Sequence, residues 1–386
     1  MKGSGGEGPA LLALGFRPFY LAASLFAASS IAIWALQYTG AISPLFRGPA
    51  WHGHEMLFGF TLAVIAGFLF TAVRNWTQRD TPRGAVLAAI VGLWLAARIL
   101  VLTPFGMASA IANAAFPLAV AAGIAVPLLA SGNRRNYFFI ALLIACSAAT
   151  LAFHLAGLGI VSWDEGAILQ AGLDVVLFIV TVMAGRVVPM FTNNGVPGAG
   201  ARREPWVERA ALGSVLALLL LDAIGAARIL VGMACAVAAA ANAARWILWK
   251  PWKTLRAPLV WSLHAAYAWI PIHLAMRIAA LDGLIAPQWA AHALTVGTIG
   301  GMTLAMMTRT ALGHSGRPLA AGRAEIACYV LVNAAALVRV FGGILLPSLY
   351  VDTIVAAACL WSFAFAIYAV AYWPILTRPR IDGQPG

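Results

Sequence analysis

Long apolar segments separated by short polar stretches make up almost the whole chain. A helix that crosses a lipid bilayer needs about 20 mostly apolar residues, and twelve segments of about that length follow one another. They lie near residues 18–40, 52–73, 84–103, 106–130, 136–159, 164–189, 206–222, 224–249, 257–281, 287–311, 322–346 and 350–376. The pattern predicts an all-α, polytopic integral membrane protein with about twelve transmembrane helices in a single transmembrane domain, residues 1–386.

The composition agrees with a membrane protein and argues against a soluble globular domain and against a nucleic-acid-binding protein. Of the 386 residues, 62% are hydrophobic and 10% are charged, and the mean hydropathy is +0.88. A soluble globular domain carries about 25% charged residues. The formal net charge is +12, but the basic residues separate the apolar segments instead of forming runs. We therefore expect membrane lipids as partners and no nucleic acid.

Basic residues concentrate in every second loop, which predicts the orientation of the helices. The basic loops contain Arg74, Arg79 and Arg83; Arg134 and Arg135; Arg202, Arg203 and Arg209; Lys250, Lys253 and Arg256; Arg317 and Arg323; and Arg378 and Arg380. Loops rich in Lys and Arg stay on the cytoplasmic side. Both termini are therefore expected to be cytoplasmic, and the start of the second segment is expected to face the outer side.

Histidines at membrane depth are the first candidates for chemistry. Five of the seven fall in the predicted outer half: His52, His54, His154, His273 and His292. Neutral imidazole is the commonest metal ligand among side chains, so these five are the candidate metal ligands. Residues two apart on a helix project about 200° apart, which favours His54 as ligand and His52 as a second site or an interface residue. A hydrogen-bonded packing role between helices is the alternative for each.

Two kinds of charged residue accompany these histidines. Glu55 can orient an imidazole or relay protons, or it is an interfacial carboxylate near a helix N-terminus. Arginines in the outer half can bind haem propionates through bidentate hydrogen bonds, or they extend to the outer headgroups. The candidate cofactor-binding residues are Arg17, Arg98, Arg277, Arg339 and Glu55. Histidines with few carboxylates suit haem iron or copper better than magnesium or calcium.

Short sequence words recur along the chain. Trp51-x-x-His54-x-x-x-x-Gly59 recurs as Trp289-x-x-His292-x-x-x-x-Gly297, and His154-Leu155-Ala156 recurs as His273-Leu274-Ala275. Together with repeated Arg words they suggest three four-helix units, residues 11–130, 136–249 and 257–376; accidental similarity between apolar helices is the alternative. Asp174 and Arg186 within the sixth segment suggest an intramembrane ion pair or a proton route.

Several longer words carry a resemblance to a known family. They are Gly15-Phe16-Arg17-Pro18-Phe19, Trp51-His52-Gly53-His54-Glu55-Met56-Leu57-Phe58-Gly59-Phe60, Ala66-Gly67-Phe68-Leu69, Asn75-Trp76-Thr77, Gly185-Arg186-Val187-Val188-Pro189-Met190-Phe191-Thr192, and Met307-Thr308-Arg309-x-x-Leu312-Gly313-His314-Ser315-Gly316-Arg317-Pro318. With these words the chain resembles the NnrS family of polytopic, haem- and copper-containing membrane proteins linked to nitric oxide in bacteria. The resemblance implies the inner membrane, haem and copper as cofactors, nitric oxide or a related small ligand, and a role in nitric oxide metabolism or in resistance to nitrosative stress.

Two questions stay open at the level of sequence. The resemblance leaves undecided whether the protein turns nitric oxide over as a haem/copper oxidoreductase or only binds it. A different class of function, a twelve-helix proton-coupled secondary transporter with a buried His, Asp and Arg site, also agrees with the number of segments.

Overall fold

Twelve long helices form the chain in the computed structural model, which describes residues 9–43 and 48–384. They are α1 (Phe16–Tyr38), α2 (Gly48–Thr77), α3 (Gly84–Leu100), α4 (Gly106–Ala130), α5 (Phe138–Gly157), α6 (Glu165–Gly195), α7 (Pro205–Ala223), α8 (Arg228–Leu248), α9 (Pro258–Leu281), α10 (Pro287–His314), α11 (Arg323–Leu345) and α12 (Tyr350–Thr377). The described part contains no β-strand. The predicted all-α fold is confirmed, and each predicted segment corresponds to one helix. The terminal residues that we placed in the cytoplasm lie outside the described residues.

Ten spans within residues 9–43 and 48–384 are long and apolar enough to cross a membrane. Two of the twelve helices, α3 and α7, do not meet this criterion of length and apolar character. Helix α3 is apolar but only 17 residues long, and α7 carries Glu208, Arg209 and Asp222 within 19 residues. The chain is therefore a multi-pass membrane protein.

Proline and glycine mark the helix boundaries. Pro205, Pro258 and Pro287 each occupy the first turn of a helix, where the missing N–H costs nothing because that group has no intrahelical acceptor. Gly283 follows the end of α9 with φ of 74°, a left-handed conformation that a residue without Cβ adopts easily. These residues keep the connections between neighbouring helices short.

Three helices contain π-helical segments, in which the backbone hydrogen bonds are one residue longer than in an α-helix. The segments are Glu55–Thr61 in α2, Ala293–Gly300 in α10 and Val338–Gly342 in α11. The first two follow His54 and His292 directly, so both copies of the Trp-x-x-His word lead into a π-helix. Such segments are rare and occur frequently at functional sites.

The helices form two compact units, which we describe separately. Unit 1 comprises residues 1–172, 307–319 and 368–386. Its most buried helix is α2, against which α1 and α4 pack, while α4 also forms a hairpin with α5 and contacts α3. The core near α1 contains Phe16, Phe19, Phe70 and Phe116, which are all at most 2% exposed.

Unit 2 comprises residues 173–306 and 320–367. The π-helical part of α10 packs against α9 and α11, and α7, α8 and α9 follow one another as adjacent helices. Trp269 of α9 and Val340 of α11 belong to the apolar core of this unit. A Cβ at Gly297 would lie 2.3 Å from the Trp269 ring, so only glycine lets α10 approach α9 this closely. The predicted three-unit repeat stays a prediction.

Candidate functional site

His54 and Glu55 form a buried pair at the point where α2 changes from α- to π-helix. Each residue is 1% exposed, and His54 Nδ1 lies 2.7 Å from Glu55 Oε1. An ionised carboxylate only accepts hydrogen bonds, so Nδ1 carries the proton and donates it. Nε2 of His54 is buried and has no hydrogen-bond partner. This is the arrangement of a metal-binding histidine, in which a carboxylate orients the ring and the second nitrogen faces the metal.

Arg98 of α3 neutralises Glu55. Its Nη1 donates to Glu55 Oε1 at 2.5 Å, and its Nη2 donates to Oδ1 of Asn113 in α4. Nδ2 of Asn113 in turn donates to the Ser109 carbonyl at 2.9 Å. A buried carboxylate without a cation would be costly, whereas here a guanidinium bridges it to a neutral amide. The chain His54–Glu55–Arg98–Asn113 therefore joins three helices of unit 1.

Gly59 makes room for this bridge. A Cβ at this position would lie 2.5 Å from Arg98 Nη1 and 3.1 Å from the Phe26 ring. The carbonyl of Gly59 also accepts a hydrogen bond from Trp94 Nε1 at 2.9 Å. Glycine is therefore required for steric reasons at the last position of the Trp-x-x-His word in unit 1, because the Arg98 guanidinium crosses α2 directly over Gly59.

A second histidine lies beside the first. The ring of His154 in α5 contacts the ring of His54, with centroids 4.7 Å apart and planes nearly perpendicular. Phe153 covers another side of His54 at 5.0 Å. His52 instead stacks on Trp34 of α1, with ring centroids 5.1 Å apart. The structure thus brings together His54 and His154 and places His52 elsewhere, as the helical spacing of two residues requires.

Unit 2 has its own buried histidine with an open nitrogen. His273 of α9 is fully buried, its Nδ1 lies 2.7 Å from the carbonyl oxygen of Ala290 in α10, and its Nε2 is buried without a hydrogen-bond partner. A carbonyl oxygen only accepts, so Nδ1 again carries the proton. Nδ1 of His292 lies 2.5 Å from the Gln288 carbonyl one turn earlier. In unit 2, His273 of the His-Leu-Ala word therefore contacts Ala290 of the Trp-x-x-His word. The same two kinds of word are in contact in unit 1 through His154 and His54.

The predicted cofactor-binding arginines have different surroundings. Arg277 donates to Asp174 at 3.0 Å and to Asp222 at 2.8 Å, so it holds two carboxylates of unit 2. Arg339 lies in the π-helical segment of α11. Nη1 of Arg17, which is fully buried, donates to the carbonyls of Ile375, Leu376 and Arg378 at the end of α12. Because Arg98 and Arg277 are buried and paired, neither extends to the headgroups.

The hypothesis of a pair between Asp174 and Arg186 is wrong. Both residues lie on the continuous helix α6, twelve positions apart, which corresponds to about 18 Å at a rise of 1.5 Å per residue. Asp174 is fully buried and accepts from Arg277 instead. The sequence analysis also missed Asn113 and Asp222, although a lone amide or carboxylate inside an apolar helix is itself a signal of an interhelical contact.

Comparison with known proteins gives the family. The sequence model of the family described as NnrS protein matches residues 10–380. The chain belongs to the NnrS family. No curated protein matches it significantly. Membership of this family supports a membrane protein that belongs to the nitric oxide response.

Four of the six words that carry the resemblance to the NnrS family lie at two places in unit 1. The word Trp51–Phe60 forms the pair of His54 and Glu55 and the glycine under Arg98. The words at 15–19, 75–77 and 307–318 lie at the beginning of α1 and at the ends of α2 and α10. There, His314 contacts the Phe16 ring with centroids 5.8 Å apart and approaches Asn75 within 3.5 Å.

In the described part of the chain, the residues that could hold a metal are single histidines and not a preformed cluster of ligands. Within residues 9–43 and 48–384, no group of three or more His, Cys, Asp or Glu side chains is arranged to hold a metal ion. Nε2 of His54 and Nε2 of His273 are buried without a hydrogen-bond partner, and each could bind a metal or haem iron because its ring is already fixed through Nδ1. A single axial histidine is sufficient for haem.

Proposed function

We propose that this NnrS-family protein binds copper and haem in the bacterial inner membrane and takes part in the metabolism of, or resistance to, nitric oxide. The observation that carries the proposal is the His54 ring, which is buried, fixed by Glu55 through Nδ1, and open at Nε2. A purely structural histidine gains stability when both nitrogens are bonded, because a buried polar atom without a partner costs about 1–3 kcal/mol. Family membership supplies the connection to nitric oxide.

Copper is the better candidate for the unit 1 site. Metal–imidazole bonds of about 2.0–2.1 Å place two nitrogens on one ion within about 4 Å of each other. The rings of His54 and His154, with centroids 4.7 Å apart, are close enough that both imidazoles could hold one copper ion. A porphyrin does not fit between two rings that touch, so we assign copper and not haem to this pair.

Haem is the better candidate for the histidine of unit 2. His273 offers one open nitrogen, Nε2, and its ring is held by the Ala290 carbonyl. His273 would hold haem iron through Nε2, and the haem would supply a position at which a small ligand such as nitric oxide binds. Metal centres of these two kinds supply the redox and ligand-binding chemistry that nitric oxide requires.

Glu55, Arg98 and Asn113 serve the copper site by holding the imidazole. Glu55 accepts the Nδ1 proton of His54, and Arg98 keeps the carboxylate charged so that it remains a strong acceptor. The hydrogen bond raises the basicity of the ring and fixes its direction. Phe153 and the surrounding helices exclude water from the pair. These side chains thus leave Nε2 of His54 electron-rich and shielded from water.

Metal analysis of single variants tests this assignment. Purified His54→Ala and His154→Ala are expected to lose copper and to keep haem, whereas His273→Ala is expected to lose the haem absorption band and to keep copper. His52→Ala is the matched control, since it removes a neighbouring imidazole that stacks on Trp34. Full copper in both unit 1 variants would refute the copper site. A colourless, metal-free wild-type protein would instead favour the transporter alternative.

A further inference from the structure

Unit 1 contains a polar cavity that the metal sites do not use. It has a volume of about 350 Å³ and lies at the ends of α2 and α10. Its lining includes Arg74, Asn75, Arg79, Asp80, His314 and Arg380. These residues belong to the side of the protein that the loop charges predict to be cytoplasmic. A cavity of this size falls within the range of small-molecule sites.

Local backbone structure brings the lining residues together. Gln78 ends α2 in a left-handed conformation with φ of 53°, which turns the following residues away from the helix axis. Nη1 of Arg380 donates to the carbonyl of His314 at 3.2 Å, and the amide of Ile381 donates to the carbonyl of Ser315 at 3.2 Å. These bonds hold the segment after α12 along the end of α10. The cavity is thus formed by fixed backbone and not by exposed side chains alone.

Positive charge dominates this end of the unit. Arg17, Arg74 and Arg380 all act electrostatically on His314, and Arg317 and Arg380 act on Arg17. Two carboxylates offset part of this charge. Asp80 lies 3.2 Å from Arg83 and 3.9 Å from Arg74.

The second carboxylate is Asp382, which forms a two-point contact with Arg380 at 2.9 and 2.5 Å. That contact lowers the pKa of Asp382 to about 2, so its charge is present at neutral pH. Arg74, Arg79 and Arg380 line the cavity with Asp80, and Arg83 and Asp382 are paired with lining residues. Four arginines against two carboxylates leave two positive charges around the cavity.

We propose that this cavity binds a phosphate group. Arginine presents planar pairs of N–H groups that match phosphate oxygens, and the Asn75 amide adds neutral donors. The cavity lies at the ends of membrane-spanning helices, where lipid headgroups are expected, and it is larger than a bare oxyanion requires. The shared chemistry is a phosphate oxygen pair, carried either on an anionic lipid headgroup or on free phosphate. The site is independent of the metal sites proposed above.

The same cavity accounts for sequence words that the metal sites leave without a role. Asn75 and His314 line the cavity and belong to the fourth and the last of the family words, and Phe16 of the first word contacts the His314 ring at the same end of the unit. Helices α1, α2 and α10 thus each contribute a word at this end of unit 1. A binding site gives a common reason for polar residues at these three distant places in the chain.

Binding to the full-length protein in detergent tests the proposal. Inorganic phosphate is titrated and its affinity measured by calorimetry, and retention of phosphatidylglycerol over phosphatidylcholine is measured by native mass spectrometry. Arg74→Gln is expected to weaken binding about tenfold, the effect of one charge-assisted hydrogen bond. Asp80→Asn is expected to strengthen it, because it removes a negative charge from the lining. Arg135→Gln, an exposed arginine of another loop of unit 1, is expected to leave it unchanged.

The two arms separate the sources of the phosphate. Selective retention of phosphatidylglycerol that Arg74→Gln abolishes identifies a lipid headgroup site, and phosphate binding without lipid selectivity identifies a free phosphate site. Arg79→Gln replaces Arg74→Gln if the latter does not elute as a monodisperse protein. Equal binding by the wild type, Arg74→Gln, Arg79→Gln and Asp80→Asn in both arms would overturn the proposal.

Discussion

The bridge that Arg98 forms between Glu55 and Asn113 gives the sharpest test of the unit 1 site. Replacing Arg98 by Lys keeps the positive charge but removes the planar fork, so one ammonium replaces two guanidinium nitrogens that donate in different directions. The lysine can satisfy Glu55 or Asn113 but not both. Loss of one hydrogen bond that involves a charged group costs about 1.5–3 kcal/mol.

Replacing Arg98 by Ala has a larger expected effect. It leaves Glu55 buried without a cation, and breaking a buried ion pair from one side costs about 3–5 kcal/mol. Glu55 is then expected to take up a proton, which weakens its hold on His54 Nδ1. Copper retention is therefore expected to fall in the order wild type, Arg98→Lys, Arg98→Ala.

The assay combines denaturant unfolding with copper content in the same preparations. Arg228→Lys is the matched control, because Arg228 is 72% exposed and lies 3.7 Å from an exposed Asp282, a pair worth about 0–1 kcal/mol. Adding Glu55→Gln to Arg98→Lys separates charge from geometry in a double-mutant cycle. Wild-type stability and wild-type copper content in Arg98→Lys would refute the argument that the two-point bridge matters.

Three further predictions follow from contacts in the two units. Gly59→Ala places a methyl group 2.5 Å from Arg98 Nη1 and is expected to lower copper content like Arg98→Lys, whereas Gly92→Ala, which meets nothing within 4 Å, is not. Arg277→Ala leaves Asp174 and Asp222 without their cation and is expected to cost about 3–5 kcal/mol in unfolding; a cost below 1 kcal/mol would contradict this. Reporter fusions after Arg203 and after Arg317 are expected to report the cytoplasm, and periplasmic activity at either would overturn the orientation.

Sequence alone predicts the helices well because the bilayer imposes their length and apolar character. Every predicted segment has its helix, and errors are confined to the ends, as for α7, which begins at Pro205. Backbone groups in a membrane must bond within their own segment, so hydropathy decides the element without knowledge of tertiary contacts. The same rule explains why no described residue forms a strand.

The pairing of side chains could not be predicted in the same way, because it depends on which helices become neighbours. Helical spacing correctly separated His52 from His54 but could not show that His154, a hundred residues later, touches His54. Asp174 was matched with an arginine of its own helix, although its partner Arg277 lies 103 residues away. The repeated words were informative about local structure, since both Trp-x-x-His words lead into π-helices. They did not reveal which side chains of neighbouring helices contact each other.

The guanidinium that caps the last helix has a consequence for how the protein is made. Arg17 is synthesised well before the carbonyls that it binds, which are up to 361 positions later. At about 5–20 residues per second, roughly 20–70 s pass before those acceptors exist. During that time the guanidinium depends on water, lipid phosphate or the insertion machinery. Helices α1 and α12 are thus joined only after residues 375–378 have been made, so a chain that stops before Ile375 leaves Arg17, at the start of α1, without these acceptors.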